Sequence, residues 1–120
     1  MLDYINYLGN DRFGNIKTKI MNERQIYFKN KKILIYGFGK SGTACFKFLK
    51  KNNICAIFDD KQKNIPPNFK KYLINIRKLL STTFDFIVLS PGININKCRI
   101  SSYLRNNRSK IISELDIFEI

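Results

Sequence analysis

The sequence contains no histidine, which is the commonest general base and a member of the usual Ser-His and Cys-His nucleophile pairs. Its cysteines are odd in number, far apart and without a C-x-x-C pair, so they do not have the pattern of a zinc site. We therefore predict no metal ligand in this chain and expect three reduced, mostly buried thiols. These are Cys45, Cys55 and Cys98.

Membrane and secretory signals are also missing. No apolar run approaches the roughly 18 residues that a membrane-spanning helix needs. The first ten residues lack the basic start, the apolar centre and the small-residue cleavage site of a secretory signal. We expect a cytoplasmic protein without a membrane partner.

Acidic residues are scarce, with 9 Asp and Glu against 22 Lys and Arg and a net charge of +13. Such an excess is one sign of a polyanionic partner. Here the basic residues are scattered, without a single stripe of interleaved aromatics, and Lys, Asn and Ile are abundant together, which is typical of a genome-wide compositional bias. We expect no nucleic-acid partner. A basic nucleic-acid adaptor is the weakest alternative, and salt-dependent binding to DNA would be its sign.

The length of 120 residues suits one domain with one core, and 44% hydrophobic and 26% charged residues indicate a globular chain. Residues 1–30 form a polar leader with weak periodicity, which we predict to be poorly ordered apart from a short helix near 21–27. The regular pattern begins at Lys31 and continues to Ile120. We therefore predict a leader over 1–30 and a single folded domain over 31–120.

Apolar runs alternate with helical periodicity through this domain, which predicts a parallel sheet with right-handed crossovers. The fold class is α/β, a Rossmann-like parallel sheet of about five strands flanked by helices. In such sheets the ligand binds at the carboxyl ends of the strands. The predicted strands are 33–36, 54–58, 86–89 and 110–112, and the predicted helices are 41–52 and 97–107. The segment 69–80 is ambiguous between a short edge strand and a helix. Ser113 is predicted to cap a last helix, with Asp116 as its capping-box partner.

A glycine-rich loop, Gly37-Phe38-Gly39-Lys40-Ser41-Gly42, lies between the first predicted strand and the first predicted helix. In the G-x-G-x-x-G pattern the first glycine permits a tight turn, the second lets a phosphate approach the backbone and the third lets helix and strand pack closely. The amino end of the helix then offers free N–H groups to a pyrophosphate. The Ser41 hydroxyl adds a hydrogen-bond donor.

Two further segments end predicted strands. Asp59 and Asp60 follow the second strand about 20 residues beyond the glycines, where an acid binds a ribose hydroxyl or a base N–H in folds of this type. Ser90-Pro91-Gly92 follows the strand at 86–89, and by its chemistry alone it is a turn with a rigid exit and an exposed N–H.

Taken together, these motifs resemble the N-terminal domain of the D-glutamate-adding Mur ligases of peptidoglycan synthesis. The resemblance covers roughly 31–120, and Ser90-Pro91-Gly92-Ile93 at its distance from the glycine loop is its most specific part. The segments that carry it are Gly37 to Cys45, Asp59, Asp85 to Ile93, and Ser113 to Phe118.

The resemblance implies binding of UDP-N-acetylmuramoyl-L-alanine (UDP-MurNAc-L-alanine). It places Lys40, Ser41 and Gly42 at the diphosphate, and Ser90, Pro91 and Gly92 at the sugar and diphosphate. It places Asp59, Asp60 and Lys61 at the uracil. The family usually has Asp-Thr-Arg in this turn, and Lys61 lacks the flat guanidinium of arginine.

The resemblance also implies that catalysis requires domains outside this sequence. The complete enzymes use ATP and magnesium, with an ATP-binding domain that carries a Gly-Thr-x-Gly-Lys-[Ser/Thr] phosphate loop and a third domain for the amino acid. None of these motifs occurs in the chain. We therefore expect no catalytic residue, no cofactor and no ligase activity in this fragment alone, and we expect a monomer.

A dinucleotide-binding domain of an oxidoreductase or a regulatory protein is the principal alternative. The glycine loop and Asp59 suit NAD(P) equally well. The two hypotheses differ at Ser90-Pro91-Gly92, which has no task in the NAD(P) alternative.

Overall fold

The computed structural model describes residues 27–118. Most of the leader predicted for 1–30, and of the helix predicted near 21–27, lies outside the described residues.

Four parallel strands form the sheet: β1 (Lys32–Tyr36), β2 (Ile54–Phe58), β3 (Phe86–Leu89) and β4 (Ile111–Ile112). Their order across the sheet is β2-β1-β3-β4, with Leu34 of β1 opposite Ala56 on one side and Ile87 on the other. β1 is buried along four of its five residues, as its continuous apolar run predicts. The predicted Rossmann-like α/β fold is therefore confirmed.

The prediction of about five strands is wrong by one among the described residues. The place of a fifth strand beside β2 is taken by a single parallel bridge between Leu73 and Ile57, with Ile74 N–H donating to the Ile57 carbonyl at 3.0 Å. A 3₁₀ helix (Pro67–Tyr72) ends directly before this bridge, and Asn75 caps the next helix directly after it. Only two residues are left to pair, which is too few for a strand.

The helices are shorter than their periodicity predicts. The glycine loop is followed by α1 (Lys40–Leu49), and the other helices are α2 (Ile76–Leu80), α3 (Ser101–Asn106) and α4 (Glu114–Phe118). Further 3₁₀ turns cover Gln62–Asn64 and Arg108–Lys110. The Asn53 amide ends α1 because it donates to the Leu49 carbonyl, one of the carbonyls that a helix end leaves free. The start of α4 has the predicted cap, with Ser113 N–H donating to the Asp116 carboxylate at 2.8 Å.

Alternate residues of the strands fill two cores, one on each face of the sheet. Ile33, Ile35, Ile57 and Val88 lie on the face covered by α1 and α4. Leu34, Tyr36, Phe58 and Ile87 lie on the other face, and the buried Leu79 and Leu104 of α2 and α3 pack against them. On α1, Phe46 is fully buried, whereas Phe48 is only partly buried and packs against Phe118.

The segment just before β1 is part of the folded unit. Phe28 is 5% exposed and meets Phe86 edge to face, with ring centroids 5.1 Å apart. The Asn53 side chain holds this segment by donating to the Phe28 carbonyl at 2.8 Å and accepting from Lys31 N–H at 3.0 Å. Phe28 and Lys31 are therefore fixed against the sheet, and the boundary between leader and domain at residue 31 stays a prediction.

Candidate ligand-binding site

The glycine loop and Ser90-Pro91-Gly92 meet at the carboxyl edge of the sheet. β1 pairs with β2 on one side and with β3 on the other. The strand order therefore changes direction between β1 and β3, and the residues that follow these two strands lie beside this switch point. A β-carbon on Gly37 would lie 2.6 Å from the Ser90 β-carbon, which shows how closely the two loops approach. Ligands of open α/β sheets bind at this position.

Two glycines of the loop are required by its geometry. Gly37 has a φ of +93°, a backbone conformation that residues with side chains rarely adopt. A β-carbon on Gly42 would overlap the carbonyl oxygen of Gly37, so α1 lies against the end of β1 at a distance that only glycine allows. These two residues bring the amino end of α1 to the carboxyl edge of the sheet.

Gly39 of the glycine loop and Gly92 of the turn after β3 face open space. A β-carbon on Gly39 or Gly92 would meet nothing within 4 Å, and both residues are exposed. Gly39 is the N-cap of α1, and its carbonyl accepts from Thr43 N–H at 2.9 Å and from the Thr43 hydroxyl at 2.7 Å. Lys40, Ser41 and Gly42 form the first turn of α1, whose N–H groups have no partner within the helix. These N–H groups and the space over Gly39 suit an anionic ligand.

Asp59 connects two loops of this edge through its own carboxylate. One oxygen accepts from Phe38 N–H in the glycine loop at 2.7 Å, and the other accepts from Lys61 N–H at 2.8 Å. The sequence predicts a contact with ribose or uracil at this position, and that contact stays a prediction. The structure adds that Asp59 fixes the glycine loop against the end of β2.

We expect Asp59→Ala to destabilise the domain by about 2–4 kcal/mol, because two backbone N–H groups lose charge-assisted hydrogen bonds worth about 1–3 kcal/mol each, partly replaced by water. Urea unfolding of the full chain measures this, and Asp60→Ala is the control because, among residues 27–118, the Asp60 carboxylate accepts from a side chain and from no backbone N–H. Equal stability losses in the two variants would contradict the role of Asp59.

Asp60 is held by Tyr36, which the sequence predicts only as a strand residue. The Tyr36 hydroxyl donates to the two Asp60 carboxylate oxygens at 3.0 and 2.9 Å. Burial and the neighbouring Asp60 carboxylate raise the pKa of Tyr36 well above its ordinary value, so the hydroxyl stays protonated and remains a donor. The sequence signal for Tyr36 is its position as the one residue with a polar group at the end of an otherwise aliphatic run, 33–36. Lys61, next in the chain, is exposed.

Comparison with known proteins identifies the family. The family model described as "Mur ligase MurD-like, N-terminal domain" matches residues 31–112, which is more than half of the chain. The chain belongs to this family. All eleven residues predicted for the site lie within the matched segment of this MurD-like domain. They are Gly37, Gly39, Lys40, Ser41, Gly42, Asp59, Asp60, Lys61, Ser90, Pro91 and Gly92.

Curated relatives of this MurD-like domain are named UDP-N-acetylmuramoylalanine–D-glutamate ligase. The relative from Elusimicrobium minutum is 34% identical over 96 residues, covering 75% of this chain and 21% of the relative. The relative from Buchnera aphidicola subsp. Schizaphis graminum is 36% identical over 98 residues, covering 77% of this chain and 22% of the relative. The relative from Rickettsia bellii is 36% identical over 95 residues, covering 75% of this chain and 21% of the relative. The chain thus spans about a fifth of their length. No solved structure matches it significantly.

The thiols of the MurD-like domain are free, with Cys45 buried and Cys55 and Cys98 partly buried. Burial raises the pKa of Cys45, with a smaller contribution from Glu114, and burial raises that of Cys55, each to about 12. Both thiols are therefore neutral near pH 7 and weak as nucleophiles. Within residues 27–118 no cluster of three or more potential metal-ligating side chains is present.

A cavity in the described part of the chain lies at the opposite edge of the sheet. It has a volume of about 600 Å³ and is lined by the amino ends of β1 and β2, by Leu73 to Asn75, and by Lys71 and Lys78. None of the predicted site residues lines it. Among the helices of residues 27–118, none has the length and apolar character needed to cross a bilayer.

Proposed function

We propose that this chain binds UDP-MurNAc-L-alanine as the N-terminal domain of an ATP-dependent ligase that adds D-glutamate during peptidoglycan precursor synthesis. Membership of the MurD-like family and the names of the curated relatives support the proposal. The observation that carries it is the contact between the glycine loop and Ser90-Pro91-Gly92, two motifs 48 or more residues apart that share one edge of the sheet. A dinucleotide-binding domain needs only the first of these motifs.

We assign the diphosphate to the amino end of α1. Three N–H groups of the first helical turn and the partial positive charge of the helix end favour an anion there. The exposed Lys40 adds a positive charge, worth up to about 1 kcal/mol at a surface site. The open space over Gly39 lets the phosphate oxygens reach the backbone.

The base and the sugar lie on either side of the diphosphate in this proposal. The turn of Asp59, Asp60 and Lys61 after β2 takes the uracil. The turn of Ser90, Pro91 and Gly92 after β3 takes the sugar, where Gly92 offers its N–H from an open position. The strand order β2-β1-β3 places these two turns on opposite sides of the glycine loop.

ATP and magnesium belong to the complete ligase in this proposal. The sequence carries no Gly-Thr-x-Gly-Lys phosphate loop, and the described residues hold no cluster of metal-ligating side chains. We therefore assign no catalytic residue, no ATP contact and no magnesium ligand to this chain. Substrate binding and orientation are its proposed contributions, performed in the cytoplasm by a monomeric chain together with the ATP-binding and amino-acid-binding domains.

Titration calorimetry of the full chain with UDP-MurNAc-L-alanine, UDP and NAD tests the proposal. We expect the UDP-linked sugar to bind better than NAD, with a Kd between about 1 µM and 1 mM because no second domain closes over the ligand. Gly39→Val should weaken every pyrophosphate ligand, since its side chain fills the approach to the backbone. Gly92→Val should weaken the UDP-linked sugar alone.

The two glycine variants are matched, because neither site has a neighbouring atom within 4 Å to disturb folding. Tighter binding of NAD than of the UDP-linked sugar, unchanged in Gly92→Val, would overturn the proposal in favour of a dinucleotide-binding domain.

A further inference from the structure

Lysines that are scattered along the sequence meet at the amino edge of the sheet. The strands are parallel, so the segments that precede them share this edge. Ile54 N–H donates to the Lys31 carbonyl at 2.9 Å, and Asp85 N–H donates to the Lys32 carbonyl at 2.7 Å. The Asp85 carboxylate accepts in turn from Lys32 N–H at 2.8 Å. The residues before β1, β2 and β3 are therefore joined at one edge, opposite the candidate ligand-binding site.

Four exposed lysines of this edge line two neighbouring cavities. The cavity of about 600 Å³ has Lys32, Lys71 and Lys78 in its lining. A second cavity, of about 390 Å³, has Lys51 in its lining, and Ile54 lines both. Among residues 27–118, no Asp or Glu lines either cavity. The two cavities therefore form one basic surface that suits an anionic partner.

Exposed aliphatic side chains lie among these lysines. Ile54, the first residue of β2, is 69% exposed and borders both cavities. Leu80 is 51% exposed and ends α2 between Lys78 and Thr82, which both line the larger of the two cavities. Large aliphatic side chains gain free energy when an apolar partner removes them from water. We call this region the amino-edge surface, and it consists of Lys32, Lys51, Ile54, Lys71, Lys78 and Leu80.

The chemistry of the amino-edge surface favours a lipid bilayer over a nucleic acid. Nucleic-acid sites typically use arginine and open aromatic rings on which bases stack. Among residues 27–118, no arginine lines the two cavities. The aromatic residues of their lining are not open, because Phe84 is 2% exposed and the Lys71 ammonium lies 5.2 Å from the centre of the partly buried Tyr72 ring. Lysine instead lays its aliphatic stem on apolar surface while its ammonium group reaches phosphate.

We propose that the amino-edge surface binds the surface of an anionic phospholipid bilayer. The four lysines contact the lipid phosphates, and Ile54 and Leu80 reach the boundary of the acyl chains. Clusters of four to eight basic residues are typical of proteins that bind anionic leaflets. The candidate ligand-binding site lies at the opposite edge of the sheet and stays open to solution, so this role goes beyond the proposed function and does not depend on it. The sequence predicts no membrane partner because a surface assembled from separate loops has no local pattern.

Co-sedimentation of the full chain with large unilamellar vesicles tests this proposal. Vesicles of equal parts phosphatidylglycerol and phosphatidylcholine present the anionic surface, and vesicles of phosphatidylcholine alone are the neutral comparison. At about 0.1 M salt we expect binding to the anionic vesicles to be at least about tenfold tighter. Raising the salt to about 1 M should remove most of this preference, because the screening length falls from about 10 Å to about 3 Å.

Lys71→Gln combined with Lys78→Gln tests the basic part of the surface. Each lysine near an anionic bilayer contributes a factor of about five to binding, so this double variant should bind the anionic vesicles at least about tenfold more weakly. Lys63→Gln combined with Lys97→Gln is the matched control. It removes the same charge from two exposed residues that follow the carboxyl ends of β2 and β3, and its binding should stay within about twofold of the wild type.

Ile54→Ser tests the apolar part of the surface without changing its charge. We expect binding to the anionic vesicles to weaken at least about threefold, because an aliphatic side chain no longer enters the bilayer. Leu115→Ser is the matched control, since Leu115 is 58% exposed on α4, which follows the carboxyl end of β4. It should bind as the wild type does. Circular dichroism of all variants establishes that the domain is folded.

Three results would overturn the proposal. The first is equal binding of the wild type to anionic and neutral vesicles, and the second is an equal loss of binding in the two double-lysine variants. The third is tighter binding to a short DNA duplex than to the anionic vesicles, with Ile54→Ser unchanged, which would assign the surface to a nucleic acid. The affinity for UDP-MurNAc-L-alanine, measured in the wild type and in the Lys71→Gln, Lys78→Gln variant, tests the proposed function separately and should be the same in both.

Discussion

Gly42→Ala is expected to cost the domain at least about 3 kcal/mol of its free energy of unfolding, and so to leave much of the protein unfolded. A methyl group at this position overlaps the Gly37 carbonyl oxygen, which is backbone and has no flexible end to move away. Relief requires α1 to move off β1, yet α1 carries Cys45, Phe46 and Leu49 into the core. Overpacking in a rigid core costs about 1–3 kcal/mol, and more where only backbone can yield.

Gly92→Ala is the matched control for this prediction. Its β-carbon meets nothing within 4 Å and its φ is not in the left-handed region, so its stability should stay within about 0.5 kcal/mol of the wild type. Urea unfolding followed by circular dichroism compares the two. A Gly42→Ala protein as stable as Gly92→Ala would mean that helix and strand do not pack as closely as the structure shows.

Phe28→Ala is expected to destabilise the domain by about 3–5 kcal/mol, the usual cost of removing a buried aromatic side chain. Phe28 lies in one core cluster with Ile33 and Val88. The total stability of a domain of this size is about 5–15 kcal/mol, so the loss should be visible as a large drop in the urea midpoint.

Tyr27→Ala provides the comparison, since Tyr27 is 64% exposed although its ring lies 5.0 Å from that of Phe28. It should cost less than about 1 kcal/mol, as surface substitutions generally do. A small effect in both variants would show that the segment before β1 does not contribute to the folded unit.

Strands were predicted well because their signal is local. The run of five residues in β2 coincides with its predicted bounds, and β1 and β3 agree within one residue, since a buried parallel strand is marked by its own apolar residues. The missing fifth strand and the early ends of the helices depend on neighbours. Leu73 has only one bridge because of the turns on both sides of it, and Asn53 ends α1 because it also binds the segment before β1.

The candidate site likewise has features that the sequence predicts and contacts that depend on the fold. The glycine loop and Ser90-Pro91-Gly92 are readable from sequence because each satisfies a backbone requirement with a characteristic residue. The hydrogen bonds of Asp59 to Phe38 N–H, of Tyr36 to Asp60, and the position of Arg99 over Phe58 join residues that are 21 to 41 positions apart. Such pairs are fixed by the packing of the loops at the sheet edge, and no local sequence pattern predicts them.

Mapping of amide chemical shifts by NMR during titration with UDP-MurNAc-L-alanine tests the central claim most directly. We predict that the shifts concentrate at the carboxyl edge, in residues 37–42, 59–61 and 90–92. The amide shifts of the residues that line the amino-edge cavity around Leu73 and Lys78 should stay unchanged. Shifts confined to that cavity, or no saturable shifts at millimolar ligand, would contradict it.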